Sequence, residues 1–364
     1  MVFYKRVKLT IYLLILQPLH GKSNFLKKND FLSIHSLLQQ PRKILITTHT
    51  NPDGDAIGSS LALFGYLKKT GHSVQVMIPD PDPRFLQWMP FHDNLLVFDK
   101  DKEICQVHIR EADLIFCVDF NSLGRLSNAE HDFRQSSAKK ILIDHHTQPA
   151  GDFDFMISNT QTSSTSELIY DFITDSGDKE KIDTDMATCI YAGIITDTGS
   201  FSYSCNYEKT YLITADLYHR GIDGEHIHRL VYDTYSESRL RLLGYAISEK
   251  LVVLPAYHAA YIALTKEELD RFNHQIGDTE DIVNYALSIE DVNFAALFYE
   301  REGIVKVSLR SKGKFSVNDI ARKYFDGGGH VNAAGANSKL SLKDTVAVFE
   351  NLLPVFQEQL NSVY

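Results

Sequence analysis

The segment "HTNPDGDAIGSS" places His49, Asp53 and Asp55 within seven residues, directly after the apolar run "KILITT". Three more segments repeat the theme. Asp119 closes "ADLIFCVD", Asp144, His145 and His146 close "KKILIDHH", and Asp197 closes "MATCIYAGIITD". Each has an ordinary explanation when taken singly. An aspartate after a strand usually caps a helix or makes a turn, and a histidine among apolar residues is usually a hydrogen-bonded core residue. Four such segments together are harder to explain that way. Carboxylates crowded into one crevice repel each other and shift toward protonation unless a cation is present. Oxygen and imidazole donors without thiolate favour Mn2+ or Mg2+, with Co2+ or Fe2+ next. So many donors imply two ions about 3.5–4 Å apart sharing one carboxylate, an arrangement that activates water for in-line attack on phosphorus.

The elements that must position these residues follow a βα rhythm. Residues 31–38 read as a short helix and "KILITT" as a buried strand. "AIGSSLALFGYLKKTG" reads as a helix stopped by Gly71. "SVQVMIP" is the next strand, "ADLIFCVDF" a third and "KKILIDHH" a fourth. Continuous apolar strands between helices imply a parallel sheet covered on both faces, which binds ligands beyond the carboxyl ends of its strands. His49, Asp119 and Asp144–His146 all fall at that edge. The segment ending in Asp197 fits a helix or a strand equally. "STSELIYDFI" reads as a helix with Ser163 or Ser164 near its N-cap, and Phe201 and Tyr203 as core packing. "SESRLRLLGYAISE" reads as a connecting helix. A second unit then begins near Leu251, with strands "LVVLPAYHAAYIAL", "VNFAALFYER" and "GIVKVSLRS", helices "KEELDRF" and "TEDIVNYALS", and a final amphipathic helix over 341–360.

This second unit carries a local charge reversal. The chain has 364 residues, 44% hydrophobic, and a net charge of -10, yet residues 301–323 hold seven Lys or Arg against two acids. The overall charge argues against coating long duplex nucleic acid; the local patch suits a small anion. Arg310 can hold a phosphate with two hydrogen bonds. In "DGGGH", consecutive glycines let amides converge on an anion, with the positive end of a following helix expected there.

Four cysteines, Cys105, Cys117, Cys189 and Cys205, include no close-spaced pair, which speaks for structural thiols in a reducing compartment and against a zinc site. The basic then apolar start of the chain resembles a weak signal peptide without a small-residue cleavage site, and its apolar run is too short to span a bilayer. Residues 1–24 therefore read as a dispensable extension, and the cytoplasm, not a membrane, as the location.

Together the motifs "HTNPDGDAIGSS", "VDFNSLGRL", "IDHH" and "ITDTGSF" closely resemble those of the DHH phosphoesterases, named for the triplet at 144–146, and "GGGHVNAAGA" at 327–336 resembles the signature of the DHH-associated C-terminal domain. The resemblance covers about residues 25–360, and the size is that of the compact oligoribonuclease (nanoRNase) and pAp-phosphatase branch; the RecJ-type exonucleases are larger. It implies an α/β chain. A parallel-sheet catalytic domain with helices on both faces would span 25–235 and a helical linker 236–250. A smaller α/β domain with a mixed sheet would span 251–364.

The resemblance also implies the site. His49 and Asp53 would hold one Mn2+ and Asp55, His145 and Asp197 a second, with Asp119 bridging; Mg2+ or Co2+ could replace Mn2+. Asp144 would orient a ligand histidine, and His146 would face the scissile phosphate. Arg310, Ser311, Gly328, Gly329 and His330 would bind the nucleotide. The substrates implied are short oligonucleotides or nucleotide phosphoesters such as pAp, handled by a monomer or a homodimer. The alternatives are a phosphodiesterase for pApA or cyclic di-AMP, an inorganic pyrophosphatase, against which the glycine signature argues, and a nucleotide-binding module that does no chemistry.

Overall fold

The computed structural model describes residues 28–362, so the expected extension at 1–24 lies outside the described residues. The first unit is built on six parallel strands, β1 (Lys43–Thr47), β2 (Ser73–Ile78), β3 (Leu95–Val97), β4 (Leu114–Val118), β5 (Lys139–Asp144) and β6 (Phe155–Ser158). Their order is β3-β2-β1-β4-β5-β6, so the winding direction reverses between β1 and β4. Connections then leave on opposite faces and open a crevice beyond the carboxyl ends of those two strands.

The unbroken apolar runs have a simple cause. Ile44, Ile46, Phe116, Val118, Ile141 and Ile143 enter one core, while the alternating Leu45, Ile115, Cys117 and Leu142 enter another on the opposite face. Side chains alternate along a strand, so a sheet covered on both faces is apolar at every position. The two outermost strands escaped the sequence reading. β3 and β6 have only three and four residues and are mostly half-buried, so neither gives a run or an alternation; "ADLIFCVDF" is the fourth strand, not the third.

Helix α1 (Lys28–Leu37) precedes β1, and α2 (Gly54–Lys69) follows it, ending before Gly71, whose φ of +94° suits glycine. Helices α3 (Thr165–Asp175) and α4 (Thr184–Asp197) pack beside α2. The segment ending in Asp197 is thus a helix, apolar nearly all round because it is buried nearly all round. Close approach there depends on missing side chains. A Cβ on Gly58 would lie 2.5 Å from the Cys189 carbonyl oxygen, and one on Gly193 would lie 1.9 Å from Ser166 Oγ and 2.7 Å from Asp55 Oδ1. Gly58→Ala must push helix backbones apart and is expected to destabilise the fold by about 1–3 kcal/mol, seen as a lower midpoint in thermal melts; an unchanged midpoint would show that the helices have slack.

Helix α5 (Glu237–Glu249) leads into a mixed sheet of β7 (Leu251–Leu254), β8 (Ala259–Leu264), β9 (Phe294–Arg301), β10 (Ile304–Ser311), β11 (Asp326–Gly329) and β12 (Ala333–Ser338). Its order is β11-β12-β10-β9-β8-β7, with only β8 and β9 parallel. The expected single strand "LVVLPAYHAAYIAL" is two, β7 and β8, folded back at Pro255–Tyr257 and at His258 with φ 50°. Proline lacks the amide a continuous ladder would need. Short helices at Lys266–Arg271 and Ile282–Leu287, with α6 (Val317–Tyr324) and α7 (Leu342–Asn361), complete this unit. Along β10, Val305, Val307 and Leu309 are buried while Lys306, Ser308 and Arg310 lie on the opposite, half-exposed face. The four cysteines are buried and unpaired, and no helix among the described residues is long and apolar enough to cross a membrane.

Candidate metal and nucleotide site

The crevice at the β1–β4 reversal gathers the polar residues. His49 lies two residues beyond β1, Asp119 directly follows β4, Asp144 ends β5, and Asp197 ends α4. Asp119 has φ 64°, in the left-handed region that aspartate and asparagine enter more readily than other non-glycine residues. Its carboxylate stands between the others. His49 Nε2 is 3.6 Å from Asp119 Oδ2 and 4.0 Å from Asp53 Oδ2. On the other side, His145 Nε2 is 3.5 Å from Asp119 Oδ1, 3.8 Å from Asp55 Oδ2 and 3.3 Å from Asp197 Oδ2. Four groups of donor atoms among the described residues lie within 4.8 Å of one another; His49–Asp53–Asp119 and Asp55–His145–Asp197 combine carboxylates with one histidine on either side of the crevice, and His145–His146–His330 and Asp119–Asp144–His146 adjoin them.

Two of the carboxylates, Asp53 and Asp55, are held by backbone amides, and Asp119 by a hydroxyl. Asp53 Oδ1 accepts the amides of Asp55 and Ala56 and so caps α2, leaving Oδ2 toward His49; the ordinary capping explanation and the chemical one both hold at this residue. The amides of Thr165 and Ser166 donate to the two oxygens of Asp55 at 2.6 and 2.8 Å, so the positive end of α3 grips that anion. Thr165 Oγ1 donates to Asp119 Oδ1 at 2.8 Å. Sequence reading found this helix start but not its target. The signal was Ser164 followed three residues later by Glu167, a helix-start pattern in a segment of hydroxyl residues.

Asp144 does not reach His145. Its Oδ1 bonds His146 Nδ1 at 2.7 Å. Side chains two apart leave an extended strand end on one face, and the intervening one leaves on the other, so Asp144 serves the histidine expected to face phosphate rather than a metal-ligand histidine. Its second oxygen is buried without a hydrogen-bond partner.

The charges sort themselves accordingly. Burial first, and then the charge of Asp53, raise Asp119 to about 8. Burial and neighbouring carboxylates push Asp55 and Asp197 well above the usual range. Burial, then the charge of His146, lowers His145 to about 3, and burial with Arg125 lowers His49. Both imidazoles are therefore neutral and keep a lone pair. The Thr50 carbonyl, 2.8 Å from His49 Nδ1, accepts a hydrogen bond from a protonated Nδ1 and leaves Nε2 as the electron-pair donor. Burial also pulls His146 down, but the charge and hydrogen bond of Asp144 outweigh it, so its pKa is raised.

The second unit closes over this floor. The His330 ring stacks on His146 at 4.2 Å and lies 4.4 Å from the His145 ring, so it joins the histidine cluster rather than standing apart from it. Arg310 lines the same cleft, which has a volume of about 1090 Å³. The glycine run differs from expectation. No helix follows it; β11 turns directly into β12, and α6 comes before. The Gly329 amide donates to Asn318 Oδ1 at 2.9 Å and the His330 amide to the Ala333 carbonyl at 2.7 Å, so neither is free for an anion. A Cβ on Gly327 would lie 2.2 Å from the Gly335 carbonyl oxygen, and Gly329, with φ +153°, would place one 2.5 Å from that of Ala333. Close pairing of the two strands requires glycine at both positions. Gly328, by contrast, has room for a Cβ, its nearest neighbour being Asn318 Oδ1 at 3.4 Å. The Ser311 hydroxyl donates to the Phe315 carbonyl and accepts from Asn332 Nδ2. Tyr203, read as core, is 44% exposed and lines the cleft.

The chain matches the DHH family, N-terminal domain, over residues 43–194 and the DHHA1 domain over residues 258–362, and it belongs to the DHH family. It is 29% identical over 323 residues to the probable bifunctional oligoribonuclease and PAP phosphatase NrnA of Streptococcus mutans, covering 88% of this chain and 97% of that one. It is 28% identical over 298 residues to the bifunctional oligoribonuclease and PAP phosphatase NrnA of Bacillus subtilis, covering 81% and 88%. Among solved structures, an exopolyphosphatase-related protein from Bacteroides fragilis superimposes with a TM-score of 0.88 at 40% identity, covering 93% of this chain and all of that one.

Proposed function

We propose that this chain is a divalent-metal phosphoesterase that shortens small oligonucleotides by releasing mononucleotides and also removes the 3′-phosphate of pAp. The observation that carries this reading is the pair of donor groups on either side of the Asp119 carboxylate, at the floor of a cleft whose opposite wall bears Arg310. The names of the relatives at 29% and 28% identity support the substrate class.

The donor set fits two hard cations. It offers carboxylate oxygen and neutral imidazole nitrogen but no thiolate, and its carboxylates are strained toward protonation for want of positive charge. His49, Asp53 and Asp119 would hold one ion and Asp55, His145, Asp197 and Asp119 the other, with Mn2+ the first choice. Bound there, such ions acidify water and neutralise charge on a phosphoryl group. The chain's own residues do the rest. The amides of α3 fix Asp55, Thr165 fixes Asp119, and Asp144 holds Nδ1 of His146 so that its Nε2 remains to protonate the leaving oxygen. Arg310 grips a second phosphate, and His330 covers the His146 ring from solvent. Buried, unpaired thiols support a cytoplasmic location.

Product analysis with a five-nucleotide RNA, pAp, pApA, cyclic di-AMP and pyrophosphate in Mn2+ tests the reading. Stepwise mononucleotide release from the RNA and adenosine 5′-phosphate from pAp are expected; cleavage of pyrophosphate alone would overturn it. Asp144→Asn is expected to keep the fold and lose about 10–100-fold in kcat, the scale for residues that orient a working histidine; undiminished kcat would remove Asp144 from the mechanism.

A further inference from the structure

The cleft runs on past the carboxylates into a wall made by all three parts of the chain. Tyr203 comes from the first unit, Tyr235 from just before α5 and Arg239 from its first turn, and Glu280, Asp281 and Asn284 from the second unit. None of these belongs to the donor groups described above.

Their arrangement is that of a platform with an acidic end. The Arg239 guanidinium lies 3.8 Å from the Tyr235 ring centroid and donates to the Glu280 carbonyl at 3.3 Å, so it backs one face of a ring that lines the cleft. Tyr203 is presented by a loop with left-handed backbone at Gly199, Ser200, Phe201 and Ser204. Its ring sits so close to Gly199 that a Cβ there would lie 2.3 Å from it. Strain of this kind is spent on exposing an aromatic ring to the cleft rather than on burying one. At the far end, Asp281 adopts φ 65° and accepts Asn284 Nδ2 at 2.9 Å, and the neighbouring Glu280 is exposed and lines the same cleft.

We propose that this end of the cleft is a nucleobase subsite, in which a base stacks on Tyr203 and Tyr235 and its ring or exocyclic N–H groups donate to Glu280 and Asp281. Heteroaromatic rings suit such platforms because every base has a π face, and carboxyl groups at the edge accept the N–H donors that bases present. The subsite rests on the nucleotide reading above. Because Tyr235 and Arg239 sit on the segment joining the two units, a bound base would bridge both.

The test uses steady-state kinetics of the Mn2+-loaded full chain on a 5′-phosphorylated RNA dinucleotide and on its two analogues lacking the base at one or the other position. For the wild type, one of the two abasic analogues is expected to raise KM about 5- to 100-fold with little change in kcat. Tyr203→Ala, Tyr235→Ala and Glu280→Gln should raise KM for the complete dinucleotide over the same range and leave KM for that abasic analogue unchanged. Tyr203→Phe and Tyr235→Phe keep the ring and should behave as wild type. Equal KM for all three substrates, or variants that weaken them equally, would overturn the subsite while leaving the nucleotide reading intact. Failure to hydrolyse any of the dinucleotides would overturn both.

Discussion

Asp119→Asn is expected to lower kcat on a short RNA by about 1000-fold or more while making the chelated protein more stable. Both effects come from one placement. Asp119 Oδ1 and Oδ2 face the two histidine–carboxylate groups separately, so losing one oxygen's charge disturbs both halves of the site. An electrostatic group at the reacting centre acts on a scale of about 10²–10³-fold by itself, and a residue shared by two ions should exceed that. Without ions the same carboxylate is a burden, with its pKa driven to about 8. Asparagine also tolerates the left-handed backbone that Asp119 occupies, so the substitution adds no strain. Lost activity together with a higher melting temperature in chelator separates a functional role from misfolding; lost activity with a lower melting temperature would point to a structural role.

The second large effect is the linkage of pH, metal and stability. A carboxyl group whose pKa is higher in the fold than in the unfolded chain stabilises the fold while it is protonated. That contribution is complete below the ordinary value of 3.8 and is lost as pH rises through the folded value, about 8 for Asp119, with Asp55 and Asp197 shifted in the same direction. The chelated protein is therefore expected to melt at a lower temperature at pH 8.5 than at pH 6. Mn2+ should reverse the order, because protons compete less for its ligands as pH rises. At free metal 100-fold above Kd the gain is about 2.7 kcal/mol for each site. Equal melting temperatures with and without Mn2+ at pH 8.5 would deny that these carboxylates await a cation.

The sequence was most informative where chemistry and strand ends coincide. His49, Asp119 and His145 follow apolar runs that can only be buried strands, so their common edge was legible without coordinates. Asp197 was legible as a candidate but not as the end of a helix, because α4 is apolar on nearly every side and shows neither period. What Asp144 holds depends on the alternation of side chains beyond β5, which fixes His146 and not His145 as its partner. The glycine run misled for a related reason. Glycines suit an anion-binding turn and a tight strand crossing alike, and only the position of the Gly335 and Ala333 carbonyl oxygens decides between them at Gly327 and Gly329. The grip of α3 on Asp55, and the aromatic wall of the cleft, arise from residues distant in the chain and had no local signature.

The central claim is that four segments, meeting where β1 and β4 diverge, hold two divalent ions on either side of one carboxylate. Crystals grown with Mn2+ and measured at the manganese absorption edge test it directly. The account predicts two anomalous peaks, one against His49, Asp53 and Asp119 and one against Asp55, His145, Asp197 and Asp119. A single peak, or peaks lying away from Asp119, would contradict it.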